Sequence, residues 1–172
     1  RAFVTLARPG ALAVFDAAAA SPAIQAIALQ AASPRALAAS PDGSRVYAAV
    51  FESGNHSTVV SRAQVSAPNG PYNGVNPPPN DGNAFFPAIA PGLPAPPRVS
   101  QVVRKGADGT WRDDNGRNWS QFVTWDLHDH DVAVVDTATL GVTYVSGLMT
   151  TVTGLAVSDT GGIQRAPDDV VL

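Results

Sequence analysis

Apolar residues in this chain come in short runs bounded by Gly, Pro, Asp and Ser, which is the spacing of strands and not of helices. Ala2 to Leu6 and Ala11 to Asp16 predict a hairpin across Ala7-Arg8-Pro9-Gly10, where Pro and Gly punctuate the turn. Ile24 to Leu29 predicts the outer strand of the same sheet. Ala36 to Ser40 opens a second sheet at its inner edge. Ser40-Pro41-Asp42-Gly43-Ser44 turns the chain, with Pro presetting φ and Gly free to take φ > 0, and Val46 to Phe51 returns. Asp131 to Asp136 and Val142 to Ser146 supply the third and fourth strands, and Val152 to Val157 begins another sheet. Ala propensity alone would make a helix of Ala17 to Ala32, but Pro22 opposes it.

Two parts of this pattern repeat. Ala11-Leu12-Ala13-Val14-Phe15-Asp16 matches Asp131-Val132-Ala133-Val134-Val135-Asp136, and each is followed by a small-residue turn and another apolar segment. Ala36-Leu37-Ala38-Ala39-Ser40 matches Gly154-Leu155-Ala156-Val157-Ser158 at nearly the same offset, and both run into Asp and Gly. Setting aside the irregular segment from Ser53 to His130 leaves a period of about 40 residues, the size of a propeller blade of four short strands. The repeat register also opposes the helix at Ala17 to Ala32.

Pro34-Arg35-Ala36-Leu37-Ala38-Ala39-Ser40-Pro41-Asp42-Gly43-Ser44-Arg45-Val46-Tyr47 resembles the core of the YVTN-type β-propeller repeat. Asp131-Val132-Ala133-Val134-Val135-Asp136-Thr137-Ala138-Thr139 resembles its following strand and turn. The resemblance covers the two flanks and leaves out the segment between them. It implies an all-β fold, a partial β-propeller of about two to three blades of four-stranded antiparallel sheet. The organisation expected is propeller blades over 1–52, a Pro/Gly-rich insertion with a small hairpin over 53–130, and the continuation of the blades over 131–172. A closed propeller needs about four blades or more, so the expected partners are the remaining blades of the same propeller or another protein. Surface-layer proteins, lactonase-like enzymes and many secreted proteins share the repeat. It therefore implies an exported protein, periplasmic, cell-surface or secreted, acting as a non-catalytic scaffold or binding module. A lactonase-like, metal-dependent hydrolase working at the axial face is the alternative.

Composition narrows the chemistry. With 172 residues the chain suits one ordinary domain, and an apolar share of 45% excludes wholesale disorder. The absence of Cys removes disulfides, Cys-ligated zinc and iron–sulfur clusters. A net charge of −3 argues against a nucleic-acid partner, and no apolar run is long enough for a membrane span. The sequence begins at Arg1 with neither Met nor a signal peptide, as a processed mature end or a fragment would.

The insertion changes composition abruptly. Ten of the fifteen prolines fall between Pro68 and Pro97, favouring extended or irregular backbone. Val99 to Lys105 and Thr110 to Arg112 predict a hairpin around Gly106-Ala107-Asp108-Gly109. Arg62, Arg98, Arg104, Lys105, Arg112 and Arg117 balance Asp81, Asp108, Asp113, Asp114, Asp126 and Asp129, so no polyanion-binding stripe forms. Because strands of a blade alternate in direction, the mouth of the insertion should share an end of the sheet with the blade-to-blade connection.

All three histidines sit at the mouths: His56 on one side, His128 and His130 on the other. His128 and His130 should face the same way in extended backbone, and with Asp126 and Asp129 nearby the three imidazoles could ligate a divalent metal such as zinc. No other cofactor is indicated. The alternative is a polar entrance in which His and Asp cap backbone groups. Trp111, Trp119 and Trp125, with Phe122 among them, could stack on a ligand or partner or form a mini-core for the insertion. The oxygen-rich Asp113-Asp114-Asn115-Gly116-Arg117-Asn118 lacks the EF-hand pattern, and the expected role of its side chains is to satisfy local backbone. No phosphate-binding loop, dinucleotide fingerprint or nucleophile elbow is present, so no catalytic residue is assigned.

Overall fold

A computed structural model describes residues 1–78, 92, 97–148, 151–158 and 163–166. The described residues are all-β, built from antiparallel sheets with almost no helix among them. Among the described residues no helix is long and apolar enough to cross a membrane. The chain divides into two compact units, Arg1–Asn55 with Leu127–Leu172, and His56–Asp126. Pro79, Asp81, Asp159-Thr160-Gly161 and much of the proline-rich stretch lie outside the described residues.

The first unit opens with β1 (Ala2–Leu6), β2 (Ala11–Phe15) and β3 (Gln25–Ala28), a three-stranded meander in which Val4 pairs with Ala13 and Ala13 with Ala26. The Ala-rich stretch after β2 is a turn followed by strand β3, so Ala propensity loses to Pro22 and to cross-strand pairing. The second sheet contains β4 (Ala32–Ala39), β5 (Arg45–Glu52), β9 (Val132–Asp136) and β10 (Val142–Val145), in the order β10-β9-β5-β4. Here β5 and β9 are direct neighbours, Ala48 opposite Ala133, although the whole second unit separates them in sequence. The strand β4 starts earlier than its apolar run predicts. Its register shifts between Pro34 and Leu37, since Pro34 offers no N–H to the ladder and the strand bulges past it. A hairpin of β11 (Gly154–Val157) and β12 (Ile163–Ala166) follows.

Alternation along the strands decides what is buried. One face of the first sheet, with Phe3, Leu12, Val14 and Ile27, packs against Ala48, Val50, Ala133, Val135 and Tyr144 of the second. Burial of each such Leu, Val or Ile is worth about 1.5–3 kcal/mol. At one end of the second sheet the turns interlock, the Thr137 hydroxyl donating to the Gly43 carbonyl at 2.8 Å. Asp42 organises its turn by accepting from the Ser40 hydroxyl at 2.6 Å and the Ser44 amide at 3.0 Å. The Ser40 bond first, then those from Ser44, hold its carboxyl down at about 2. Gly10, with φ +77, sits so close to the chain entering β4 that a Cβ would lie 2.5 Å from the Ala31 carbonyl oxygen.

The second unit has its own sheet of β6 (Ser57–Val60), β7 (Gln101–Lys105) and β8 (Trp111–Arg112), in that order, with a helical turn α1 (Arg62–Val65) and a short 3-10 turn at Ser120–Phe122. The hairpin β7–β8 follows the predicted runs. The strand β6 and α1 were not anticipated. Their signal is the short β-prone Ser57-Thr58-Val59-Val60 and a capping box, in which Ser61 accepts from the Gln64 amide and Gln64 from the Ser61 amide.

Candidate functional site

The insertion leaves and re-enters the first unit at one place. The Gly54 amide donates to the His128 carbonyl at 2.9 Å, and the Val50 amide to the Asp131 carbonyl at 2.9 Å. Asp131 is buried, at 1% exposure, and its carboxylate accepts from the Ser53 hydroxyl at 2.5 Å and the Leu148 amide at 2.8 Å. Three stretches of chain are thus tied to one carboxylate. Asp131 reads from sequence as the first residue of a strand, and only its fixed place before the apolar run hints at this role.

The chain leading into β9 contributes to a column of three rings. His128 stacks on His130 with centroids 5.9 Å apart and planes 8° from parallel. His130 stacks on Tyr144 at 4.0 Å and 9°. The side chains two apart in sequence do share a face, as extended backbone requires. His130 Nδ1 lies 2.6 Å from the Gln30 carbonyl, and the Gln30 amide donates to the Tyr144 hydroxyl at 2.7 Å. Both main-chain groups of Gln30 are therefore held by side chains, His130 just before β9 and Tyr144 on β10. Gln30 lies on the connection from β3 to β4, so that connection and the mouth of the insertion share one end of the sheet, as strand direction predicts.

A carbonyl oxygen only accepts, so the hydrogen of neutral His130 resides on Nδ1 and its Nε2 lone pair is left for other work. What this column offers chemically is one imidazole base and an exposed flat ring at its end. His56 belongs to the other unit, with φ 58, and its carbonyl accepts from the Lys105 amide at 2.8 Å. Among the described residues no group of three or more His, Asp or Glu side chains is placed to hold a metal ion. Within the first unit, His128 and His130 stand in a stack with Tyr144.

In the second unit the tryptophans divide. Trp111, Trp119 and Phe122 are buried with Val60, Val65 and Val103 in a core of their own. Trp119 meets Phe122 edge-on at 5.7 Å and Tyr72 at 6.0 Å. Trp125 is 57% exposed. Beneath Trp119 the Asp113 carboxylate takes four donors: the Tyr72 hydroxyl at 2.7 Å, Trp119 Nε1 at 3.0 Å, and the amides of Asn115 at 3.1 Å and Arg117 at 2.8 Å. The oxygen-rich turn thus spends its carboxylate on local backbone and on two core aromatics. Burial first, and then the bond to Asp113, push the Tyr72 hydroxyl up to about 12. On the outer face of this sheet Val59 and Val102 form an exposed cross-strand pair.

No family model matches the chain, and no curated protein matches it. A solved structure of a functionally unknown protein from Desulfotomaculum acetoxidans is similar to it at 12% identity and a TM-score of 0.26. That match covers 95% of this chain and 58% of the other, so the chain spans less than two thirds of that protein's length.

Proposed function

We propose that this chain is a non-catalytic β-propeller scaffold or binding module of an exported or cell-surface protein, with the insertion as its contact surface. The observation that carries the reading is the direct pairing of β5 with β9 around the insertion. The four-stranded sheet is complete although a separately cored unit interrupts the sequence between β5 and β9, as a platform carrying a contact module would require. In addition, β4 touches both β1 of the preceding sheet and β11 of the following hairpin. Inner strands of successive blades meet in this way around a propeller axis. The residues resembling the YVTN repeat fall on β4, β5 and β9, which agrees with this assignment. On the insertion, the exposed Val59–Val102 pair and Trp125 supply apolar contact area.

Hydrolysis of lactones with and without added divalent metal, alongside metal analysis of the purified chain, tests the reading. The expected result is neither stoichiometric metal nor turnover. Turnover that tracks bound metal and disappears in His128→Ala or His130→Ala would replace the scaffold reading with a lactonase-like hydrolase.

A further inference from the structure

The chain passes between the two units twice, after Asn55 and after Asp126. Each unit fastens its own side of that double crossing. In the first unit the fastenings are the bond from the Gly54 amide to the His128 carbonyl and the one from Ser53 to Asp131.

In the second unit one residue, Lys105, reaches both ends. Its amide donates to the carbonyl of His56, the first residue of the unit, at 2.8 Å. Its ammonium donates to the carboxylate of Asp126, the last residue, at 2.8 Å. The two side chains are only 35% and 31% exposed, so water and salt screen the pair less than an open surface pair. The same ammonium stands 5.4 Å from the centre of the buried Trp111 ring, which joins this fastening to the core. A second tie runs from the buried Thr58 hydroxyl to the Trp125 carbonyl at 3.3 Å. The start and the end of the insertion are thus held together by the insertion's own groups. Its span exceeds the roughly 55–65 residues at which many domains fold alone, and Val60, Val65, Val103, Trp111, Trp119 and Phe122 give it a core of its own.

We infer that the insertion is a self-clasped cooperative unit with Lys105 as its catch, and that the two units open independently of each other. Opening the first unit breaks the Ser53–Asp131 bond and the β5–β9 ladder but leaves the His56–Lys105–Asp126 clasp in place. Releasing the clasp leaves Ser53, Asp131 and the ladder as they were. Local opening of this kind follows contiguous cooperative blocks, and the fastenings mark where one block ends. The inference goes beyond the contact-module reading, since it concerns how the insertion is held and not what it binds. Its failure would leave that reading standing.

Hydrogen exchange of the full chain, followed peptide by peptide by mass spectrometry, reads the two units separately. All three tryptophans lie in the second unit, so tryptophan fluorescence in urea reports on that unit. Lys105→Met removes the charge and keeps an apolar stem, and Asp126→Asn removes the charge that it meets. Each should speed exchange over residues 58–60 and 102–104 about fivefold. The double variant should add little further. Exchange over residues 48–50 and 133–135 should stay within about twofold of wild type in all three. Asp131→Asn should do the reverse, speeding exchange over residues 48–50 and 133–135 and leaving the fluorescence midpoint unchanged. Protection of β6 and β7 at the wild-type level in both Lys105→Met and Asp126→Asn would overturn the clasp. Loss of protection in both units from any single substitution would overturn their independence.

Discussion

The Ser53 hydroxyl donates to the Asp131 carboxylate at 2.5 Å, although 78 positions separate them in the chain. This bond, with the one from the Leu148 amide, closes the neck from which the insertion emerges. Because Asp131 is buried, a lost acceptor leaves donors unsatisfied. Asp131→Asn should lower the stability of the first unit by roughly 1–3 kcal/mol and Ser53→Ala by about 1 kcal/mol. In a double-mutant cycle by urea denaturation the two losses should fall short of additive. An Asp131→Asn protein within about 0.5 kcal/mol of wild type would contradict this role.

Two glycines with positive φ separate backbone cost from crowding. Gly43, φ +69, has nothing within 4 Å of where a Cβ would sit, whereas at Gly10 the Ala31 carbonyl oxygen would lie 2.5 Å away. Gly43→Ala should therefore cost only the left-handed conformation, about 1–2 kcal/mol. Gly10→Ala should cost clearly more, since the entry to β4 must move. Equal losses in denaturant midpoint would show that the Gly10 approach is not tight.

Much of the first unit was legible because its signals are local. Alternation marked the strands, and Pro and Gly marked the turns. What the sequence concealed depends on burial. Nothing local distinguishes Asp131 or Asp113, each buried and fully used, from the exposed Asp42, which only shapes a turn. By position, His56 stands at one mouth of the insertion and His128 and His130 at the other. Only the carbonyl of Gln30, brought up by tertiary packing, fixed the place of His130 in a ring column.

Tyr72 makes the second unit sensitive to alkali. Its hydroxyl is raised from 10.0 to about 12, so folding favours the neutral phenol. That contribution is fully present below pH 10 and is lost as pH rises through 12. A phenolate absorbance step near 12 should accompany a change in Trp119 fluorescence. Tyr72→Phe should abolish that step, and Asp113→Asn should move it downward. A step unmoved by Asp113→Asn would refute the coupling.

His130 should be the Nδ1–H tautomer when neutral, because Nδ1 faces the Gln30 carbonyl at 2.6 Å. Two-bond nitrogen–proton correlation spectra at pH 8 read this directly. His130→Ala frees the Gln30 main chain and removes a ring from the column, at a cost of about 1 kcal/mol. An Nε2–H tautomer would show that the carbonyl does not hold the ring.

The central claim is that the sheets of the first unit are successive blades carried around one axis, with the insertion as an appended contact module. An experimental structure of the assembled protein by crystallography or electron microscopy measures this most directly. The account predicts β1, β4 and β11 as neighbouring innermost strands around a common channel, with every sheet radial to it. Sheets stacked in a closed sandwich, or inner strands turned away from any shared axis, would contradict it.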